Sequence, residues 1–413
     1  MAGLWARLGP GLVTGASDDD PSGIATYTVA GAAYGYGTLW TAVVTLPLMI
    51  AVQLVCARIG MVCGVGLTGA LRGRYPRALL VAVCLMLAGA NVFNVAADLS
   101  GMADAVEMLT GLPSVLSVIG FGLATIVFTV YSSYQVFSKY VKWTTVTLLA
   151  YVLGAFFAHP HWTEALAATF SPPRIWTRGY FTTMVAIFGT TISPYLFFWQ
   201  ASSEVEAEKA LGRRRLADRR GATDREIADA RDDVIAGMTL SNIVMYFIIM
   251  TAGATLFRAG RHDIETTRQA AEALLPIAGP AAYLLFGIGL VGSGLLAIPV
   301  LAGSASFAIA ELLGWRAGLD EPFRRARRFY YVFALAVIVG IALDVVKASP
   351  IRMLFLSSIV NGLAAPPLLV VIMLVANNPR VMGKWTNPPV LNALGWFATV
   401  LMAAAAVGLL ATG

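Results

Sequence analysis

Asp18-Asp19-Asp20-Pro21-Ser22-Gly23 places three consecutive carboxylates inside an otherwise apolar stretch. Apolar sequence runs into it from Gly9 to Ala16 and out of it from Ile24 to Tyr36. A charge at the centre of a bilayer helix costs at least ~2.5–3.5 kcal/mol, so an acid at that depth implies a role. Pro21 has no backbone N–H to donate and disfavours α geometry at Asp20, and Gly23 adds freedom two residues later. The pattern predicts a helix broken at mid-membrane, with carboxylates and freed carbonyls turned into a protein cavity. That is how a cation site is built inside a membrane.

The rest of the chain supports a membrane setting. Of 413 residues, 58% are hydrophobic and 13% charged, and the mean hydropathy is +0.74. Soluble globular chains of this size do not have that composition. An all-α polytopic membrane protein is expected, with the lipid bilayer as its surroundings. The formal net charge of +6 does not point to nucleic acid, because the basic residues sit in loops between apolar spans. Cys56, Cys63 and Cys84 lack metal-type spacing and read as packing residues. Residues 1–17 are not read as a signal peptide, since the apolar run continues past the acids.

Eleven apolar spans reach the length needed to cross about 30 Å of hydrocarbon. They lie near 6–36, 38–57, 77–109, 114–133, 139–158, 177–203, 232–257, 280–313, 327–346, 351–377 and 390–411. With the N-terminus inside, most of the 29 Lys and Arg fall in inner segments. These include Arg58 to Arg77, Lys139 and Lys142, Lys209 to Arg231, Arg316 to Arg328, and Arg380 with Lys384. The asymmetry predicts a plasma (inner) membrane protein with a cytoplasmic N-terminus and an outside C-terminus. His159, His161 and His262 fall in outer loops. The charged stretch 204–233 reads as a solvated cytoplasmic helix laced with ion pairs. Arg327 and Arg328 read as topology anchors.

Span 6 holds a second break at Gly189-Thr190-Thr191-Ile192-Ser193-Pro194-Tyr195. Spans 1 and 6 then take equivalent places in two five-helix halves. Interrupted helices at matching positions mark the midplane site of an inverted-repeat transporter. A single domain over 1–413 is expected. Repeat one covers about 6–158, repeat two about 177–377, and span 11 about 390–411.

These motifs resemble a known family. Gly9-Pro10, Asp20-Pro21-Ser22-Gly23 and Gly31-Ala32-Ala33-Tyr34-Gly35 look like the first span of the Nramp (natural-resistance-associated macrophage protein) metal transporters. Those proteins carry Asp-Pro-Gly-Asn there. Thr191-Ile192-Ser193-Pro194-Tyr195 is similar to their sixth-span Thr-Val-Met-Pro-His. Ala97-Asp98-Leu99 and Val381-Met382-Gly383 match further motifs, and the resemblance covers almost the whole chain. It implies the leucine-transporter-type fold, with ten core helices in two inverted repeats, helices 1 and 6 broken at mid-membrane, and an eleventh span. The departures are specific. Gly23 replaces the family's Asn ligand, Ser193 its soft Met ligand, Tyr195 its His, and Gly101 a Glu of its proton route. The substituted pattern resembles the Nramp-related magnesium transporters, which implies carriage of Mg²⁺ and Mn²⁺ without proton coupling.

Read without the family, the candidate donors at the breaks are all oxygens. Asp20 offers a carboxylate, Ser17 and Thr190 offer carbonyls, and Ser193 a hydroxyl or carbonyl. Asp19 and Thr191 are further candidate metal ligands, and Gly23 lines the site. Asp18, Asp98, Ser358 and Asn361 are candidates for the ion path, with Ser357 in the same polar patch. Oxygen-only sites suit hard cations, whereas thioether, thiolate and imidazole suit softer ones. Mg²⁺ keeps several waters around one or two carboxylates. Gly23 and Ser193 are small, so a wide site holding a largely hydrated ion is expected. Structural alternatives stand beside each role. Asp20 can simply cap the second half-helix, and Asp98 can be a buried hydrogen-bonded acid. Ser193 can serve freed carbonyls, and the span 10 residues can bond between helices. At ~100° per helical residue Asp18 and Asp19 are not expected to share one cavity. Tyr195 reads as a packing aromatic.

The leading reading is a transporter importing hydrated hard divalent cations, Mg²⁺ and also Mn²⁺, by alternating access and without proton coupling. No cofactor and no enzymatic activity are expected, and a monomer is. The nearest alternative is a proton-coupled Mn²⁺/Fe²⁺ symporter. A Mg²⁺-dependent membrane enzyme would need a second acidic motif, which the sequence lacks. A metal sensor would need a signalling domain. A carrier of amino acids would find the substrate carboxylate repelled by three acids.

Overall fold

In the computed structural model the described residues are 9–132, 152, 155–175, 177–344 and 349–411. Their regular structure is helical throughout. The principal helices, numbered in chain order, begin with α1 (Pro10–Asp18), α2 (Pro21–Tyr34), α3 (Trp40–Cys63), α4 (Arg77–Thr110) and α5 (Ser114–Tyr131). They continue with α6 (Arg178–Thr191), α7 (Pro194–Ala210), α8 (Asp224–Ala252) and α9 (Ala282–Leu313). Last come α10 (Arg327–Asp344), α11 (Pro350–Ala376) and α12 (Pro389–Ala411). Eight segments among the described residues are long and apolar enough to cross a membrane. The broken pair α1–α2 and the 18-residue α10 match two further expected spans. The expected span at 139–158, with Lys139 and Lys142, lies mostly outside the described residues.

Both breaks follow from the same local grammar. α1 stops at Asp18, Asp19 has φ −84° and ψ 53°, and Asp20 is extended at φ −70° and ψ 170°. Pro21 then opens α2. In the second break Ile192 has φ −118° and ψ 61°, Ser193 is extended at φ −81° and ψ 133°, and Pro194 opens α7. Proline forces the residue before it out of α geometry, yet suits the first position of a new helix.

Bare glycines set how closely the broken helices pack. α1 and α8 run side by side, with Gly11 against Val234 and Gly15 against Gly237. A Cβ on Gly15 would lie 2.2 Å from the Gly237 carbonyl oxygen. α6 meets α11 in the same way: a Cβ on Gly189 would lie 2.1 Å from the Ser358 carbonyl oxygen. Small residues let membrane helices approach to backbone contact. Elsewhere α4 packs on α9, α10 and α5, while α11 touches α6, α4, α2 and α12. Leu116, Leu123 and Val127 on α5 and Phe397, Val400 and Leu410 on α12 are exposed, as befits faces toward lipid.

The stretch 204–233 is solvated and laced with ion pairs only in its middle, where Arg225 pairs with Asp229 and Arg231 with Asp232; its two ends are buried. Glu204, Glu206 and Glu208 are buried on the last turns of α7. Glu204 accepts from Gln200 Nε2 at 2.8 Å. Glu206 pairs with Lys209 at 2.6 Å and accepts from the Leu319 amide at 3.1 Å. Asp233, also buried, accepts from the amides of Gly9, Gly11 and Leu12 at 2.8, 2.6 and 3.2 Å. It supplies from α8 the cap that α1 cannot make for itself, since Gly9 at the N-cap has no side chain. The three cysteines are free and buried, as packing residues should be.

Candidate metal centre

The two breaks face each other in the interior. Tyr195, in the first turn of α7, is fully buried. It donates its hydroxyl hydrogen toward the Ser17 carbonyl at 2.8 Å and lies 3.3 Å from Asp20 Oδ2. The sequence reading made it a packing aromatic; the structure puts its polar tip between two candidate ligand oxygens. No local signal separates these roles, because the partners lie 178 and 175 residues away. Asp20 Oδ1 accepts from the Gly23 amide at 2.6 Å. Asp20 therefore caps α2 and leaves its second oxygen toward α7.

Gly23 and Thr190 meet across the breaks. A Cβ on Gly23 would lie 3.1 Å from Thr190 Oγ1 and 3.3 Å from the Asp18 carbonyl oxygen. The expected roomy site is therefore absent from this conformation, in which Thr190 and the Asp18 carbonyl crowd the space beside Gly23. Ser193 Oγ lies 2.7 Å from the carbonyls of both Gly189 and Thr190, and donates to one of them at a time. Thr191 Oγ1 bonds the Ile187 carbonyl at 2.9 Å. Both hydroxyls serve backbone groups of α6 here, and the Ser193 carbonyl accepts from the Leu196 amide at 3.1 Å.

Asp18 and Asp19 do share one environment, contrary to the helical-wheel expectation. The Ser241 hydroxyl on α8 lies 2.6 Å from Asp18 Oδ2 and 3.2 Å from Asp19 Oδ1. The argument from 100° per residue fails because Asp19 is no longer helical. Asp98 on α4 accepts from Ser22 Oγ at 2.9 Å, and Ser22 Oγ lies 2.8 Å from Ser357 Oγ. Thr26 Oγ1 donates to Ser358 Oγ at 2.9 Å. Asn361 exchanges hydrogen bonds with Asn94 at 2.8 and 3.2 Å and so pins α11 to α4. Ser357 and Ser358 thus join the polar network around α2, whereas the Asn361 amide is taken up by Asn94.

Asp18, Asp19, Asp20 and Asp98 are each at most 1% exposed. None takes part in an ion pair among the described residues. Asp18 Oδ1, Asp19 Oδ2 and Asp98 Oδ2 have no hydrogen-bond partner. Among the described residues no three His, Cys, Asp or Glu side chains cluster as a ready-made metal cage. The donors instead combine few carboxylates with carbonyls and hydroxyls. Burying unpaired carboxylates is costly, so the arrangement calls for positive charge from outside the protein.

A membrane bundle with two broken helices facing each other over buried acids has the leucine-transporter-type architecture. The Eremococcus coleocola manganese transporter has a similar fold, with TM-score 0.78 at 17% identity, covering 98% of this chain and 86% of that one. So does MhsT in complex with L-phenylalanine, with TM-score 0.62 at 14% identity, covering 98% and 97%. Residues 11–412 match the natural resistance-associated macrophage protein-like family, and the chain belongs to that Nramp family. A similar relative is the divalent metal cation transporter MntH of Deinococcus radiodurans, 25% identical over 408 residues, covering 96% of this chain and 87% of that protein.

Proposed function

We propose that this integral membrane protein imports hydrated hard divalent cations, Mg²⁺ and also Mn²⁺, by alternating access around its two breaks. The observation that carries the proposal is the group of four buried carboxylates with no basic partner among the described residues, set among oxygen donors. The names of relatives such as MntH support a divalent metal as cargo. The replacement of the family's soft ligand by Ser193 supports a hard one. In this reading Asp20, the Ser17 carbonyl and the Thr190 and Ser193 carbonyls bind the ion, with Gly23 and Thr191 lining the site. Opening α1 and α7 away from α2 and α6 gives the space that a partly hydrated Mg²⁺ requires. Asp98, Ser357 and Ser358 line the approach.

The proposal includes transport without protons, as in the magnesium-carrying branch that the sequence resembles. Gly101 stands where the family has a carboxyl, and Leu354 fills the adjacent space. A Cβ on Gly101 would lie 2.8 Å from Leu354 Cδ1. An inside-negative potential suffices as driving force. One charge gains ~2.3 kcal/mol per 100 mV, and a divalent ion about twice that. The chain works as a single domain and a monomer, needs no cofactor, and sits in the plasma membrane with its N-terminus cytoplasmic.

Uptake of Mg²⁺ and of Mn²⁺ into proteoliposomes, for the natural chain and Asp20→Ala, tests the assignment. Saturable entry of both ions that Asp20→Ala abolishes is the expected result. Entry of Mn²⁺ but not Mg²⁺, or full activity in the variant, contradicts it.

A further inference from the structure

Beside the ion position at Asp20, the helix break holds a second group of oxygens that faces α8 instead of α7. We propose that Asp18 and Asp19, together with Ser241 and Tyr27, form a second divalent-cation position; the inference rests on the cation-transport reading above.

The argument begins with a proton count. A serine hydroxyl has one hydrogen to donate. Ser241 Oγ lies within hydrogen-bond distance of both Asp18 Oδ2, at 2.6 Å, and Asp19 Oδ1, at 3.2 Å. It can satisfy one of these oxygens at a time. The other oxygen of each carboxylate, Asp18 Oδ1 and Asp19 Oδ2, has no partner. Two fully buried carboxylates thus share a single donor. Tyr27 is the independent observation. Its phenol is fully buried on α2, close enough for the charges of Asp18, Asp19 and Asp20 to act on it. Thr190 stands beside it, but the Tyr27 hydroxyl makes no hydrogen bond of good geometry.

Three unmet oxygens therefore come from α1, the break and α2, and α8 adds the Ser241 hydroxyl beside the two carboxylates. All the donors are hard, and two carry charge, which matches a divalent cation that keeps water in its remaining positions. Asp20 is committed elsewhere, to the Gly23 amide and the Tyr195 hydroxyl. The two positions thus use different carboxylates of one turn. Adjacent sites let an arriving ion weaken the hold on its predecessor, as in multi-ion pores.

Mn²⁺ binding to the purified full-length chain tests this, with bound ions counted by the loss of the free-ion electron paramagnetic resonance signal. The natural chain should bind two Mn²⁺. Asp20→Asn should bind one, and Asp18→Asn/Asp19→Asn should bind one. Ser241→Ala keeps both charges and should weaken one of the two ions while sparing the other, which guards against misfolding of the double variant. A single Mn²⁺, lost in Asp20→Asn and kept in the double variant, overturns the second position and leaves the transport reading intact. No bound Mn²⁺ in any form overturns both.

Discussion

Tyr195 and Ser193 are where single side chains set the chemistry of the turn. The Tyr195 hydroxyl lies against the Ser17 carbonyl and Asp20, the two oxygens that bind the ion in the proposed reading. Tyr195→Phe removes the competitor, whose net hydrogen-bond contribution is about 1 kcal/mol. The KM for Mg²⁺ uptake should fall several-fold; a rise would mean that the hydroxyl holds the site in shape for the ion. Ser193→Cys places one soft donor at the break with little change in volume. Cd²⁺ should then block Mg²⁺ uptake at about tenfold lower concentration, the effect of ~1.4 kcal/mol from one added contact. Equal sensitivity to Cd²⁺ would remove this segment from the ion's coordination. The place of Asp20 at the break was legible in the sequence, because proline in an apolar run interrupts the helix at the residue before it. Ser241 and Tyr195 were not, because a serine or tyrosine in an apolar helix looks the same whether it packs or points at a carboxylate 223 or 175 residues away.

The helices were legible in position more than in their ends. The prolines in apolar runs predicted both breaks, and the structure has non-helical residues immediately before Pro21 and Pro194. Hydropathy placed the end of span 6 near 203, yet α7 runs on to Ala210 with its glutamates buried. Hydropathy counts a charged residue as wet; it has no way to register that Asp233 caps a helix more than two hundred residues earlier. That cap is testable. Asp233→Asn should cost about 1–2 kcal/mol through the loss of charge at the α1 N-terminus, read as a lower melting temperature in detergent. An unchanged melting point would mean that the three amides find other partners. The glycine contacts make a stronger prediction. Gly189→Val drives a side chain into the Ser358 carbonyl, and overpacking of this kind costs about 1–3 kcal/mol or more. The variant should show a sharply lower folded yield by size-exclusion chromatography, whereas a wild-type yield would show that α6 and α11 can separate freely.

At the scale of the whole molecule, four acids with no basic partner among the described residues are held inside a bundle whose outer faces meet lipid. The polar network from Asp98 through Ser22 to Ser357 links α4, α2 and α11, and the Ser241 contact links the break to α8. Neutralising the acids with a cation therefore acts on helices from every side of the bundle at once, which is what alternating access requires of its cargo. In the proposed reading the membrane potential favours inward delivery without a proton as partner. Simultaneous measurement of Mg²⁺ entry and internal pH, in proteoliposomes held at an inside-negative potential, tests this directly. The account predicts saturable Mg²⁺ entry that grows with the potential while internal pH stays constant. Absence of Mg²⁺ entry, or acidification that tracks it, would contradict it.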